Sequence, residues 1–258
     1  MFSIDPRGGH NRCKLKTDFF EKWSPDMAYV LGFLYADGDV EDVRKSSRTQ
    51  YITFGSKDKE ILESIKVAMG SEHNINCRAF HEFISPNGKK YECSEFYSLR
   101  IGSKKMFYDL LKLGLTPRKS LTIKFPNNIP SDCFSHFVRG YFDGDGCIFL
   151  QKAKGIIKPT IIKKLSAIFT SGSYVFLQGL AEALKNKLLI NHNKIYNSSR
   201  AFQLRYSTGD SVKIFEFMYK NCPKGLYLKR KFDIFREYFK MAPQKRNLEI
   251  AGTLNNLS

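Results

Sequence analysis

Apolar positions recur in the same order twice along this chain. One apolar run ends in Val30-Leu-Gly-Phe-Leu-Tyr-Ala-Asp-Gly38, and a second ends in Val138-Arg-Gly-Tyr-Phe-Asp-Gly-Asp-Gly146. After the first comes a strand-like run, Tyr51 to Gly55, then Ser56-Lys57-Asp58 and a helical pattern through Ile61, Leu62, Ile65 and Met69. After the second comes Leu165 to Thr170, then Ser171-Gly172-Ser173 and a helical pattern through Leu177, Leu180, Ala181 and Leu184. Phe54 matches Phe169 in this register, and Ser56 matches Ser171. Further on, Tyr97-Ser98-Leu99-Arg100 matches Phe202-Gln203-Leu204-Arg205. Each is followed by an apolar helical run, through Met106, Phe107, Leu110 and Leu111 in one case and Val212, Ile214, Phe215, Phe217 and Met218 in the other. The shared order is helix, two strands, helix, two strands, helix. The turn Ser85-Pro86-Asn87-Gly88 reads as a hairpin, hence antiparallel sheet. The fold class is α+β: a tandem αββαββα repeat of two half-domains, packed through their two motif helices.

Breaks in the pattern set the boundaries. Residues 1–23 read as a basic N-terminal arm, anchored by Phe19 and Phe20. Residues 24–116 form the first half, 117–130 a linker containing Pro and Asn, and 131–242 the second half. Residues 243–258 show no apolar periodicity and are expected to be a mobile tail.

Each motif starts as a helix should. Ser24-Pro25 and Pro130-Ser131-Asp132 supply N-cap and first-turn residues, and Gly38 and Gly146 suit a left-handed C′ position. Ala28, Gly32 and Ala36 share one helix face, and Gly140 and Gly144 share another. Small residues four apart allow two helix backbones to approach closely. If these faces meet, Asp37 and Asp145 lie side by side. That is electrostatically costly, because a helix C-terminus already carries partial negative charge and two carboxylates repel. Something positive must compensate, and carboxylates with free helix-end carbonyls are hard oxygen ligands that suit Mg²⁺. A lone Asp-Gly is ordinarily a solvated helix end; its repetition in equivalent elements points to a paired site. Asp39 and Asp143 are not equivalent between halves and read as solvated or supporting acids. An EF-hand reading of Asp143-Gly144-Asp145-Gly146 fails, since the later ligand positions hold no acid.

Charge adds a partner class. Lys plus Arg number 42 against 25 acids, a net charge of +17, which favours polyanions. Nucleic acid is preferred over anionic membrane, because the longest apolar stretch, Met27 to Ala36, is about half of what a span needs. Six cysteines without metal-type spacing, and no apolar leader, suit reduced thiols in an intracellular protein.

From Ser24 to Phe239 the two motifs and their flanking elements resemble the LAGLIDADG homing endonucleases in their single-chain, two-motif form. Leu115-Thr116-Pro117-Arg118-Lys119-Ser120-Leu121 adds to the likeness. The resemblance implies two saddle-shaped sheets over duplex DNA, and a monomer that cuts both strands of a long site, leaving short 3′ overhangs. It implies Mg²⁺ held by Asp37 and Asp145 with the carbonyls of Ala36 and Gly144; Mn²⁺ would substitute, and Ca²⁺ would bind without supporting cleavage. It implies a basic residue near each scissile phosphate, assigned to Lys119 and Lys229, with Lys231 and Lys224 as rivals for the second. Tyr35 and Arg139 depart from the motif and leave the halves chemically unequal. The alternative within the resemblance is a non-cleaving binder, a transcription regulator or intron RNA maturase, which makes intron RNA a second partner class.

Strand alternation then selects reading residues. Ser98 and Arg100 share one face, and Gln203, Arg205 and Ser207 share another; Arg reads guanine and Gln reads adenine in the major groove. Arg44, Lys45, Lys152 and Lys154 are assigned to phosphates or distal bases.

Overall fold

Ser24 starts the first motif helix. Its Oγ accepts from Met27 N at 3.1 Å and Pro25 takes the first helical position, giving α1 (Pro25–Asp37) in the computed structural model. The structure describes residues 13–42, 50–154, 161–190 and 194–257; Arg44 and Lys45 lie outside them, as does the side chain of Lys154.

After α1 come β1 (Gly38–Glu41), β2 (Tyr51–Ser56), α2 (Lys59–Ala68) and β3 (Ile75–Arg78). An extra hairpin, β4 (His81–Ile84) and β5 (Lys90–Cys93), precedes β6 (Phe96–Gly102) and α3 (Lys104–Lys112). The second half repeats the order with α4 (Phe134–Asp145), β7 (Gly146–Lys154), β8 (Ile161–Ser171), α5 (Tyr174–Leu188), β9 (Ile195–Ser198), β10 (Ala201–Arg205) and α6 (Thr208–Tyr219). Two more helices follow, α7 (Lys229–Met241) and α8 (Leu248–Asn256).

The sheets are ordered β1-β2-β6-β3 and β7-β8-β10-β9, with every pair antiparallel. The duplication extends to single residues. Gly38, Phe54, Leu99 and Ile75 line up across the first sheet; Gly146, Phe169, Leu204 and Ile195 line up across the second. One face of each sheet is buried under helices, with Ile52, Phe54, Leu99 and Ile101 in one half and Ala167, Phe169 and Leu204 in the other. The opposite faces are open.

The two sheets meet through α1 and α4. A Cβ built on Gly32 would lie 2.1 Å from Phe137 O, and one on Gly140 would lie 2.0 Å from Tyr29 O. Backbone thus touches backbone, and no larger residue fits at either crossing point. This joins the small-residue faces as the sequence implies.

Several expectations need correction. Gly38 and Gly146 are extended, with φ of −95° and −85°, not left-handed. Glycine is required there because a Cβ would fall 2.6 Å from Leu34 Cα and 2.4 Å from Phe142 O. α4 starts at Phe134 behind a turn, with Cys133 N bonded to Pro130 O at 2.9 Å and no side-chain cap. Within the proposed basic arm, Leu15, Phe19 and Phe20 are buried, and Lys16 N bonds Met69 O at 3.1 Å, so this part belongs to the first half. The proposed tail folds as well. Asn247 caps α8 through Ile250 N at 2.8 Å, and Ile250, Leu254 and Leu257 are buried.

The linker is docked on the second half. Ser173 Oγ donates to Ile123 O at 2.6 Å. Cβ atoms on Gly172 and Gly179 would meet Ser120 O and Phe125 Cβ, each at 2.5 Å. Phe125 also packs against Phe134, Phe137 and Phe176.

Candidate active site

Asp37 and Asp145 are the last residues of α1 and α4. Close packing at Gly32 and Gly140 brings the two helix ends together: Asp37 Oδ2 lies 3.4 Å from where a Cβ on Gly144 would stand. Neither helix has a basic residue in its last turn. The positive charge arrives from other segments. Lys119 Nζ donates to Ala36 O at 2.9 Å. Lys231 Nζ lies 2.6 Å from Phe142 O, 2.7 Å from Asp143 O, 3.2 Å from Gly144 O and 2.6 Å from Gly146 O. Each lysine is buried, at 5 % and 3 % exposure; Lys119 takes up Ala36 O and Lys231 takes up Asp143 O and Gly144 O at their helix ends, while Phe142 O also accepts from Gly146 N.

The electrostatics follow from this crowding. Burial, then the neighbouring Asp37 carboxylate, pushes the Asp145 carboxyl up to about 6, against the pull of Lys119 and Lys231. Asp37 is exposed at its surface, yet its carboxyl is also raised by partial loss of water in the cluster, with Lys231, Lys119 and Arg230 opposing. Burial lowers Lys231 to about 8, although Asp143 and Asp37 favour its charge. Lys119 is lowered for the same reason, with Asp145, Asp39 and Asp37 opposing. Two acids and two ammonium groups therefore share one cluster, in which each acid restores charge to the lysines.

The structure places Lys231, not Lys229, at the second helix end. Lys229 is exposed and bonds Asp233 Oδ2 at 2.8 Å, and Lys224 is exposed. The halves differ by one residue here. Gly114 and Gly225 are equivalent, both in the left-handed region with φ of 90° and 84°. Lys119 follows its glycine by five residues, through a left-handed Arg118 and a 3-10 turn, Lys119–Leu121. Lys231 follows by six, in the first turn of α7.

Of its two expected roles Asp143 takes the supporting one and not the solvated one: it is 1 % exposed, and Tyr29 Oη and Leu228 N donate to its Oδ2 at 2.8 and 2.9 Å. Arg139 is fully buried, donating to Leu226 O at 2.9 Å and Met218 O at 2.8 Å and sharing a 3.0 Å contact with His136 Nδ1. Neither Tyr29 nor His136 stood out in the sequence. The available signal was the repeat itself, since Arg139 and Asp143 fall where the first motif has Leu31 and Tyr35. Asp39 is exposed.

On the open sheet faces, Arg100 is exposed, bonds Glu41 Oε2 at 2.9 Å and stacks 3.8 Å above the Tyr51 ring. Ser98, its neighbour on that face, is half-buried. Arg205 is exposed and bonds Gln203 Oε1 at 3.0 and 2.6 Å. Ser207 lies beyond β10 as the N-cap of α6, donating to Asp210 Oδ2 at 3.3 Å, so the expected run of three reading residues stops at Arg205. Lys152 is turned toward α7, bonded to Glu237 Oε1 at 2.5 Å; Ile148 on the same side of β7 is buried, and Cys147, Phe149 and Gln151 alternate onto the open side. Lys154 ends β7.

Among the described residues no cluster of three His, Cys, Asp or Glu side chains could hold a metal ion, and no helix is long and apolar enough to cross a membrane. At the paired helix ends, oxygens of a kind that could hold a hard cation are the carboxylates of Asp37 and Asp145 and the carbonyls of Ala36 and Gly144, the two carbonyls also accepting from Lys119 and Lys231.

Residues 133–218 match the family model described as LAGLIDADG-like domain. Among solved structures, meganuclease I-SmaMI bound to uncleaveable DNA superposes with a TM-score of 0.58 at 17 % identity, covering 91 % of this chain and 98 % of that one. The homing endonuclease I-WcaI, bound to its DNA recognition sequence, gives 0.58 at 12 % identity over 89 % and 93 % of the two chains. LAGLIDADG meganuclease I-AabMI, bound to uncleaved DNA, gives 0.54 at 14 % over 92 % and 99 %. A replication factor C small subunit of Methanocaldococcus jannaschii is 24 % identical over 176 residues; the match takes in 67 % of this chain and spans only 8 % of that protein's length. The second half thus carries a LAGLIDADG-like domain, and the chain as a whole has the fold of the two-motif LAGLIDADG meganucleases.

Proposed function

We propose that this chain is a site-specific endonuclease that hydrolyses phosphodiesters in both strands of double-stranded DNA, acting as a monomer with Mg²⁺ and leaving short 3′ overhangs. The observation that carries this reading is the pair of acids, Asp37 and Asp145, at the ends of two helices in backbone contact, each end met by a buried lysine.

The donor set fits a hard divalent cation. It is all oxygen and carries up to two negative charges, which Lys119 and Lys231 offset only in part, since both acids stay raised. Such a cation, when bound, polarises the phosphate and acidifies its water. The chain's own groups do the rest. Asp37 and Asp145 hold the charge that fixes the cation's place, and Ala36 O and Gly144 O lie in the same cluster. Lys119 and Lys231 offer ammonium groups, one per helix end, to a phosphate whose negative charge grows during attack. The net charge of +17 draws DNA in, and Arg100, Gln203 and Arg205 meet base edges from the open faces, exchanging Glu41 and each other for bases. Lys152 is occupied by Glu237 on the helix side and is not part of this surface.

The test is cleavage of a randomised duplex library in Mg²⁺. Discrete double-strand products with short 3′ overhangs are expected, with Mn²⁺ substituting and Ca²⁺ supporting binding alone. An Asp37→Asn, Asp145→Asn double variant should bind the selected site and leave it intact. Products from that variant would sink the proposal, and retention of DNA without cutting by the unaltered chain would favour a binder of the same fold.

A further inference from the structure

Asp143 joins three segments that serve the second helix end. Its Oδ2 accepts from Tyr29 Oη, which comes from α1 in the first half, and from Leu228 N. Leu228 is the residue from which α7 starts: it supplies no side-chain cap, and its own carbonyl accepts from Lys231 N and Phe232 N, each at 3.1 Å. The main-chain oxygen of Asp143 accepts Lys231 Nζ at 2.7 Å. One residue of α4 therefore grips the first turn of α7 at both ends, by its carboxylate at Leu228 and by its carbonyl at Lys231.

The first half has no such grip. Tyr35 stands at the position equivalent to Asp143 and sends its hydroxyl to Leu113 O at 2.6 Å, and Lys119 reaches a single carbonyl. A competing pull also exists in the second half. Asp143 Oδ1 and Arg139 Nη2 are both buried without a hydrogen-bond partner. Removing the Tyr29 hydroxyl would leave the carboxylate with one donor and free it to turn toward the guanidinium, letting go of Leu228.

We infer that Tyr29 and Asp143 are positioning residues for Lys231, so that the first half of the chain sets the lysine of the second half-site. Catalytically this rests on the nuclease reading; geometrically it does not. Two measurements separate the cases, both on the full chain. In the first, amine acylation without metal is followed residue by residue by mass spectrometry. Tyr29→Phe, which keeps the ring and its packing, should raise Lys231 labelling about tenfold, the size of one lost charge-assisted hydrogen bond, with Lys119 unchanged. Asp143→Asn keeps an acceptor for Leu228 N and should fall between the two. In the second, strand-resolved cleavage by Tyr29→Phe should slow about tenfold on one strand only, so that nicked duplex accumulates. A merely structural loss would lower both strands together. Unchanged Lys231 labelling, an equal rise at Lys119, or equal slowing of both strands would overturn the inference. Selective labelling at Lys231 in a chain that cuts no DNA would keep the positioning role and remove the nuclease reading.

Discussion

Replacing Gly140 with alanine tests the contact on which the site depends. A Cβ there would lie 2.0 Å from Tyr29 O, and ordinary contact begins near 3.4 Å, so the clash is about 1.4 Å deep. The atom it meets is a helix carbonyl that cannot turn aside, so α1 and α4 must separate. Overpacking of this kind costs about 3 kcal/mol or more, and a gap of roughly 1 Å along the rest of the interface loses a quarter to half of its dispersion energy. Alanine's better helix propensity offsets about 1 kcal/mol, leaving a net loss of about 2–4 kcal/mol. Gly252→Ala in α8 is the control, since nothing lies within 4 Å of its Cβ; it should gain up to about 1 kcal/mol. Urea unfolding midpoints at constant slope measure both. Gly32→Ala meets Phe137 O at 2.1 Å in the same interface, so the double variant should lose less than the two singles together. The reasoning fails if Gly140→Ala matches the unaltered chain, or if the two glycine losses simply add.

Other outcomes follow from the same geometry. Lys231→Met should reduce cleavage about 10²-fold, as loss of an electrostatic group at the reacting centre does, and Lys229→Met less than twofold; equal effects would restore Lys229 as the candidate. His136 is pushed down to about 4 by burial and then by Arg139, from an ordinary 6.5. Below pH 6.5 the unfolded chain takes up a proton that the folded chain refuses, so stability should fall by about 3 kcal/mol between pH 6.5 and 4 and then level off at this site. Urea midpoints of the unaltered chain and His136→Phe across that range measure it, and parallel curves would refute it. Deleting residues 247–258 removes the Lys220–Glu249 ion pair and the Tyr227 Oη bond to Leu257 O at 2.7 Å, and uncovers apolar surface; a lowered midpoint with cleavage retained is expected. A midpoint unchanged by the deletion would show that α8 adds no stability.

The parts of this fold that were legible in the sequence are those that the duplication reports twice. Phe54 and Phe169, or Leu99 and Leu204, were placed by their repetition, and the sheet registers agree residue for residue. The paired acids followed from small residues on two helix faces. Spacing alone cannot choose between Lys229 and its rival Lys231, because a left-handed Arg118 in one half and a helix start in the other shift the lysine by one residue. For Asp143 the sequence leaves a solvated and a supporting role open; its equivalence to buried Tyr35 is the signal that favours the supporting one. The folded end was missed because Ile250, Leu254 and Leu257 do lie on one helix face, but among Gly, Thr and Asn, which favour no helix.

The docked linker has a consequence for exchanging halves between proteins of this fold. Lys119 serves the helix end of the first half, yet Ser120 and Phe125, one and six residues after it, are seated on Gly172 and Gly179 of the second. A chimera joined at residue 117 would carry a foreign lysine turn onto a native cradle, or the reverse. The workable junction lies beyond Phe125, with the glycines of the recipient matched to the incoming segment. What looks like a tether is a splint, and its cradle travels with the second half.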